Sequence, residues 1–268
     1  MKSNPPQVSP AHSPSFLRVL CVKAFAFTLT TALLASPLLS QQLRVAAAAD
    51  LTPVLPKLAE TYRQQAGIQI LPTFGSSATL TDQIRNGAPF DLFLSADTTH
   101  PQQLADAGLS TAAPIPYAHG VLVLWARRDS PAQPLNLASL TNPRVQRVAI
   151  ANPLHAPYGL AAQQFLNNTH TDIATKLVTA ENIAQTAQFA ESGNAQCGLI
   201  SLTTANTAHF RAEGTFVLVP PSTYAPIIQS AVVLKSSHDA EQAKTFLIWL
   251  TSPATQANLK QLGLDPVK

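Results

Sequence analysis

RVAAAADLTPVLPKLAETYRQQAGIQILPTFGSSATLTDQIRNGAPFDLFLS, residues 44–95, is the stretch that decides the fold. It opens on a short apolar run, RVAAAA (44–49), of strand character. From Pro53 to Ala66 the period changes: Val54, Leu55, Leu58 and Tyr62 fall on one face of a helix, and Gly67 ends it. IQILPTF (68–74) is a second strand, Ser77–Asn86 a second helix closed by Gly87, and DLFLS (91–95) a third strand. Strand, helix, strand, helix, strand with short connections is the pattern of a mostly parallel sheet with helices on its faces.

Toward the C-terminus the alternation continues. A short helix, Pro101–Ala107, precedes a strand, VLVLWA (121–126), and a loop rich in proline runs to Pro143. RVAIA (147–151), Tyr158–Asn168, KLVTA (176–180), Ile183–Glu191, CGLIS (197–201) and TFVLV (215–219) form a second α/β series. AVVLK (231–235) and helices over Asp239–Leu250 and Pro253–Leu262 complete the chain. No low-complexity linker lies between residues 43 and 268, so two lobes must be joined by strands that cross between them. The crossings are expected near Tyr117–Val121 and Ser222–Ile228. That places 41–119 and 226–268 in lobe 1 and 120–225 in lobe 2.

Toward the N-terminus the texture breaks. Arg18 and Lys23 lead into an uncharged apolar run, AFAFTLTTALLASPLL (24–39), with small residues at its end. Residues 1–40 read as a secretory signal peptide with cleavage after Ala35 or Ser40; an uncleaved anchor is the alternative reading. The chain carries 17 Lys+Arg and 14 Asp+Glu, a net charge of +3. Lys2, Arg18 and Lys23 are the only charged residues before Arg44, so the excess of three belongs to the leader and the remainder is neutral. A neutral exported domain offers no electrostatic footprint for nucleic acid or a membrane surface. Of two cysteines, Cys21 falls in the leader and Cys197 sits in an apolar strand, where a buried, inert thiol is expected.

In open α/β sheets ligands bind beyond the carboxyl ends of the strands, where helices begin. Five such junctions stand out: AAAADLTP (46–53), with Asp50 placed to cap a helix and Pro53 in its first turn; FGSSATL (74–80); ANPLHAPYG (151–159); TAENIAQ (179–185); and LISLTTA (199–205). Each offers unpaired backbone N–H groups at the positive end of a helix dipole. One alone is ordinary capping; several converging make an anion site without Lys or Arg. Other chemistries lack their motifs. Thr79 stands where a nucleophile elbow needs its second glycine, the six histidines after the leader have no metal-ligand spacing, and no glycine-rich loop ends in Gly-Lys-Ser/Thr. Asp91 and Asp97 bracket a strand and suit turn or cap roles, and His155 reads as a loop residue.

Together RVAAAADL, FGSSATLTDQIRNGAPFDLFLSAD, NPLHAPYG and GLIS resemble the molybdate-binding proteins of bacterial ABC importers, the ModA family, from about Leu43 to the C-terminus. The block 74–97 carries most of that resemblance. It implies a type II periplasmic binding protein: two α/β lobes with crossing hinge strands that close on one oxyanion through neutral donors. Implied with it are molybdate or tungstate as ligand, no cofactor, no metal coordinated by protein, no enzymatic activity, an ABC permease as partner, a monomer and a periplasmic location. Residue by residue, the binding positions fall on Asp50, Ser77, Tyr158, Ile183 and Ser201. Two depart from the family pattern. Asp50 replaces a serine, and an ionised carboxylate cannot donate and repels a dianion; its side chain is expected to turn back and cap the helix. Ser201 replaces a tyrosine found in some members. The alternatives are the same fold binding sulfate or a small organic anion, and a serine hydrolase using Ser77.

Overall fold

The computed structural model describes residues 42–267. The leader expected over residues 1–40 lies outside the described residues. Two sheets carry the architecture, each flanked by helices. The first has six strands in the order β11-β4-β10-β3-β1-β2: β1 (Gln42–Ala48), β2 (Gln69–Gly75), β3 (Leu92–Ser95), β4 (Ile115–Gly120), β10 (Ile227–Val233) and β11 (Leu264–Asp265). The second has five in the order β7-β6-β8-β5-β9: β5 (Leu122–Arg127), β6 (Val148–Ala151), β7 (Leu177–Ala180), β8 (Cys197–Ser201) and β9 (Gly214–Leu218).

The βαβαβ reading of 44–95 holds in detail. β1 pairs in parallel with β2 on one side and β3 on the other, so it runs through the sheet's interior. Its residues from Val45 onward are buried on both faces, which is why the segment is an unbroken apolar run and not an alternating one. α1 (Leu55–Ala66) covers this sheet with Leu55, Leu58 and Tyr62, and Gly67 ends it in the left-handed conformation at φ 72°. Across the core Tyr62 meets Phe246 edge-on at 4.9 Å and Trp249 at 5.1 Å, tying α1 to α8 (Ala240–Leu250).

Three boundaries differ from the sequence reading. The helix expected from Pro53 begins at Leu55, after a single 3-10 turn, Ala49–Leu51, that holds Asp50. The strand expected at 121–126 is the second of a pair: β4 ends at Gly120 in the first sheet and β5 begins at Leu122 in the second. Pro116 and His119 break the apolar pattern of β4, and only its pairing with β10 and β11 reveals it. The strand expected at 231–235 starts earlier, at Ile227, and runs antiparallel between β3 and β4. The return connection, 219–226, is stitched to the outgoing one where the Leu122 N–H donates to the Tyr224 hydroxyl at 3.3 Å.

Cys197 lies buried in β8, and burial pushes its thiol up to about 12, the inert state its apolar context implied. Asp91 is structural: Oδ2 accepts from the Arg44 N–H at 2.8 Å and Oδ1 from the Ser237 hydroxyl at 2.9 Å. Asp97, one residue before the Thr98 N-cap of α3 (Thr99–Asp106), accepts from the His100 N–H at 3.1 Å. Among the described residues no helix is long and apolar enough to cross a membrane.

Candidate functional site: a cation-free cavity at converging helix starts

The ends of β1 and β2 open onto a small cavity of about 10 Å³, lined by Ala48, Ala49, Asp50, Gly75, Ser76, Ser77 and Ala96 from one side and Ala156, Pro157, Tyr158, Asn182 and Ile183 from the other. A tetrahedral oxyanion is compact, with four oxygens close together, and a small cavity suits it.

Three helices begin here: α2 (Ser77–Arg85), α4 (Pro157–Asn168) and α5 (Ile183–Glu191). Local chemistry sets each start. Ser76 has extended backbone and its hydroxyl accepts from the Thr79 N–H at 3.2 Å, which makes it the N-cap of α2. Pro157 occupies the first turn of α4, where a missing N–H costs nothing. Asn182 caps α5 by accepting from the Gln185 N–H at 3.0 Å. First-turn N–H groups have no intrahelical acceptor, and those of Ser77, Tyr158 and Ile183 meet no other protein acceptor among the described residues.

Ser77, 1 % exposed, adds a side chain. Its oxygen accepts from the Ala96 N–H at 3.2 Å, which leaves the hydroxyl hydrogen for an acceptor placed in the cavity. Among the described residues no histidine contacts this hydroxyl, as nucleophilic activation of a serine would require. The His155 ring pairs with Asn152; its carbonyl accepts from the Ala78 N–H at 3.2 Å, a bond that joins the α4 approach to α2 across the rim.

Asp50 does not cap a helix. It is fully buried inside the 3-10 turn, and its carboxyl Oδ2 accepts from Gln229 Nε2 on β10 and, at 3.3 Å, from the Tyr158 hydroxyl. A cap was the expectation because Asp precedes Pro53; the turn at 49–51 instead rotates the side chain inward to two distant donors. Oδ1 has no partner in the protein. Burial pushes the carboxyl up to about 7, against the pull of the Gln229 and Tyr158 hydrogen bonds. The Tyr158 phenol, likewise buried, is raised well above its ordinary range by burial and then by the Asp50 charge. Room for it comes from Gly120: a Cβ there would lie 2.4 Å from the Tyr158 oxygen.

The cavity therefore gathers Asp50, Ser77, Tyr158 and Ile183 but not Ser201. Ser201 ends β8, caps the four-residue α6 (Leu202–Ala205) and sits 2.8 Å from the Thr203 hydroxyl, which donates to the Asp50 carbonyl at 2.7 Å. It stands behind the Asp50 backbone, away from the lining. Gln229 and Thr203, which fix Asp50, carry no sequence signal; they lie 179 and 153 residues from it. No Lys, Arg or His lines the cavity, and among the described residues no cluster of His, Cys, Asp and Glu is arranged to hold a metal ion.

Comparison with known proteins fits this geometry. The model of the bacterial extracellular solute-binding protein family matches residues 43–265. Molybdate-binding protein ModA of Azotobacter vinelandii is 34% identical over 234 residues, covering 86% of this chain and 92% of that protein. The chain belongs to the ModA family of bacterial solute-binding proteins. ModA of Rhodobacter capsulatus is 31% identical, over 86% and 90% of the two chains. Among solved structures, the periplasmic molybdate-binding protein of A. vinelandii superposes with a TM-score of 0.77 at 30% identity, over 84% of this chain and all of that one.

Proposed function

We propose that this protein is the periplasmic receptor of an ABC importer and captures molybdate or tungstate. The observation that supports it most is the convergence of three helix starts and the Ser77 hydroxyl on one small cavity whose lining holds no cation. A dianion withdrawn from water keeps its charge only where its lost hydrogen bonds are replaced. Charge-assisted bonds contribute roughly 1.5–3 kcal/mol each, so a handful suffices without a counter-ion. Helix dipoles add to the same effect. Residues 42–120 with 226–267 act as one lobe and 122–225 as the other, a boundary one residue later than expected because Gly120 ends β4. They close over the anion about the paired crossings beside Gly120 and Tyr224, and the closed form is what the permease recognises. Selection against sulfate then rests on cavity size. Ser201 acts indirectly in this reading, through Thr203 and the Asp50 carbonyl.

Titration calorimetry of the protein with molybdate, tungstate and sulfate tests the assignment. Tight binding of the two larger anions and weak binding of sulfate is the expected result. Absence of heat with both molybdate and tungstate overturns it.

A further inference from the structure

Asp50 is out of place among donors. A carboxylate offers only acceptors, and here it lines a cavity at which three helix starts and the Ser77 hydroxyl present donors. Its Oδ2 is occupied by Gln229 and Tyr158, while Oδ1 is buried and without a partner. The surroundings hold nothing to neutralise a charge. Tyr158 approaches from α4, Gln229 from β10 and Thr203, at the carbonyl, from α6. Tyr117 on β4 senses the Asp50 charge and, with it, that of Asp97. α5 and β2 present Asn182, Ile183 and Gly75 to the cavity, none of which titrates. Two tyrosines and an aspartate are the titratable neighbours, and none is a cation. An ionised Asp50 beside a dianion would therefore put three negative charges in a closed space with no positive side chain.

A proton resolves this. We propose that Asp50 acts as a neutral carboxylic acid in the loaded site, donating a hydrogen bond to the bound oxyanion, so that capture of a dianion is coupled to uptake of one proton. Oδ2 keeps its two donors, Oδ1 carries the proton, and the orphaned atom becomes the third kind of donor in the cavity, after the helix N–H groups and the Ser77 hydroxyl. No covalent bond changes in the protein or the anion. The proton comes from solvent whenever Asp50 is ionised in the empty site. A serine at this position would donate at any pH; aspartate donates only while protonated, so the substitution converts a constant donor into a conditional one. Burial, which already raises this carboxyl in the empty protein, favours the same state, and a bound dianion raises it further.

The proposal rests on the oxyanion reading above, and the test separates the two. Molybdate affinity and the number of protons taken up are measured by calorimetry from about pH 6 to about pH 9, in buffers of unequal ionisation enthalpy, on the wild type and on Asp50→Ser. With proton coupling the wild-type Kd rises about tenfold per pH unit above the Asp50 midpoint, proton uptake approaches one per anion at the alkaline end, and both effects vanish in Asp50→Ser. The Asp50 carboxyl carbon, followed by NMR, titrates near neutrality without ligand and at higher pH with it. A wild-type Kd flat across the range, with no proton uptake, overturns the proposal and leaves oxyanion capture standing. Failure of both proteins to bind molybdate or tungstate at any pH overturns the oxyanion reading, and this one with it.

Discussion

β1 and β2 lie side by side, in register and parallel, and end at the same cavity, yet they deliver opposite chemistry. β2 ends at Gly75, and Ser76 caps α2 at once, leaving Ser77 with a spare hydroxyl hydrogen beside a free N–H. β1 ends in alanines and a 3-10 turn, and the residue that reaches the cavity is a buried carboxyl held by Gln229 and Tyr158. Topology thus fixes where a ligand sits but not what is offered to it. One side chain at each strand end decides whether the donor is permanent or depends on a proton.

The comparison can be broken most severely by making both ends acidic. Ser77→Asp is expected to lower molybdate affinity by more than about a hundredfold at neutral pH, since a second carboxyl replaces a donor in a cavity without cations; calorimetry reads this directly. Removing only the hydroxyl, in Ser77→Ala, costs at least about tenfold, the loss of one donor to a buried anion. Unchanged affinity in Ser77→Ala would remove that side chain from the site.

Asp50→Ser makes both ends alike in the other sense, and its clearest effect is on stability. Asp50 titrates near 7 in the folded chain and near 4 when unfolded. Between those values the folded protein holds the extra proton, so its stability falls as pH rises through that window, and the loss is complete above the folded value. Serine removes this slope. The stability of ligand-free Asp50→Ser relative to wild type is therefore expected to rise by on the order of 2 kcal/mol or more between about pH 4 and about pH 8. Chemical denaturation at the two pH values checks this; a margin independent of pH contradicts it.

Smaller effects sharpen the local part of the contrast. Ser76→Ala removes the α2 cap, for a loss of about 1 kcal/mol in stability and little direct change in anion contacts. Tyr158→Phe takes away one of the donors to Asp50 while keeping the α4 N–H. Affinity should change by no more than a few fold, with the Asp50 midpoint moving upward, since that hydrogen bond favours the ionised form.

What the sequence disclosed follows the same division. The junctions at 74–80, 151–159 and 179–185 were legible because their signals are local: Gly75 and Ser76, Pro157 and Asn182 each act within one helical turn. The two series of strands were legible from their apolar runs. Asp50 was legible as an anomaly but not in its role, because its orientation depends on Gln229, which belongs to β10 and comes near only once the chain has crossed out of the first sheet and returned. β4 was legible only as a crossing near Tyr117–Val121 and not in its full extent, for a related reason: Pro116 and His119 interrupt it, and it is defined by partners more than a hundred residues away in β10. Ser201 aligns with a family position, yet its hydroxyl is engaged by α6 and Thr203, a detail that no spacing encodes.

The absence of Lys, Arg and His from the cavity lining has a kinetic side. A cleft with a basic mouth draws anions in from a distance and pays for it with a strong dependence on ionic strength. A cavity lined without a basic residue has no such lure, so abundant anions such as chloride gain no local enrichment there. In the proposed receptor, discrimination is left to the moment of closure, and the rate of capture is expected to depend little on ionic strength.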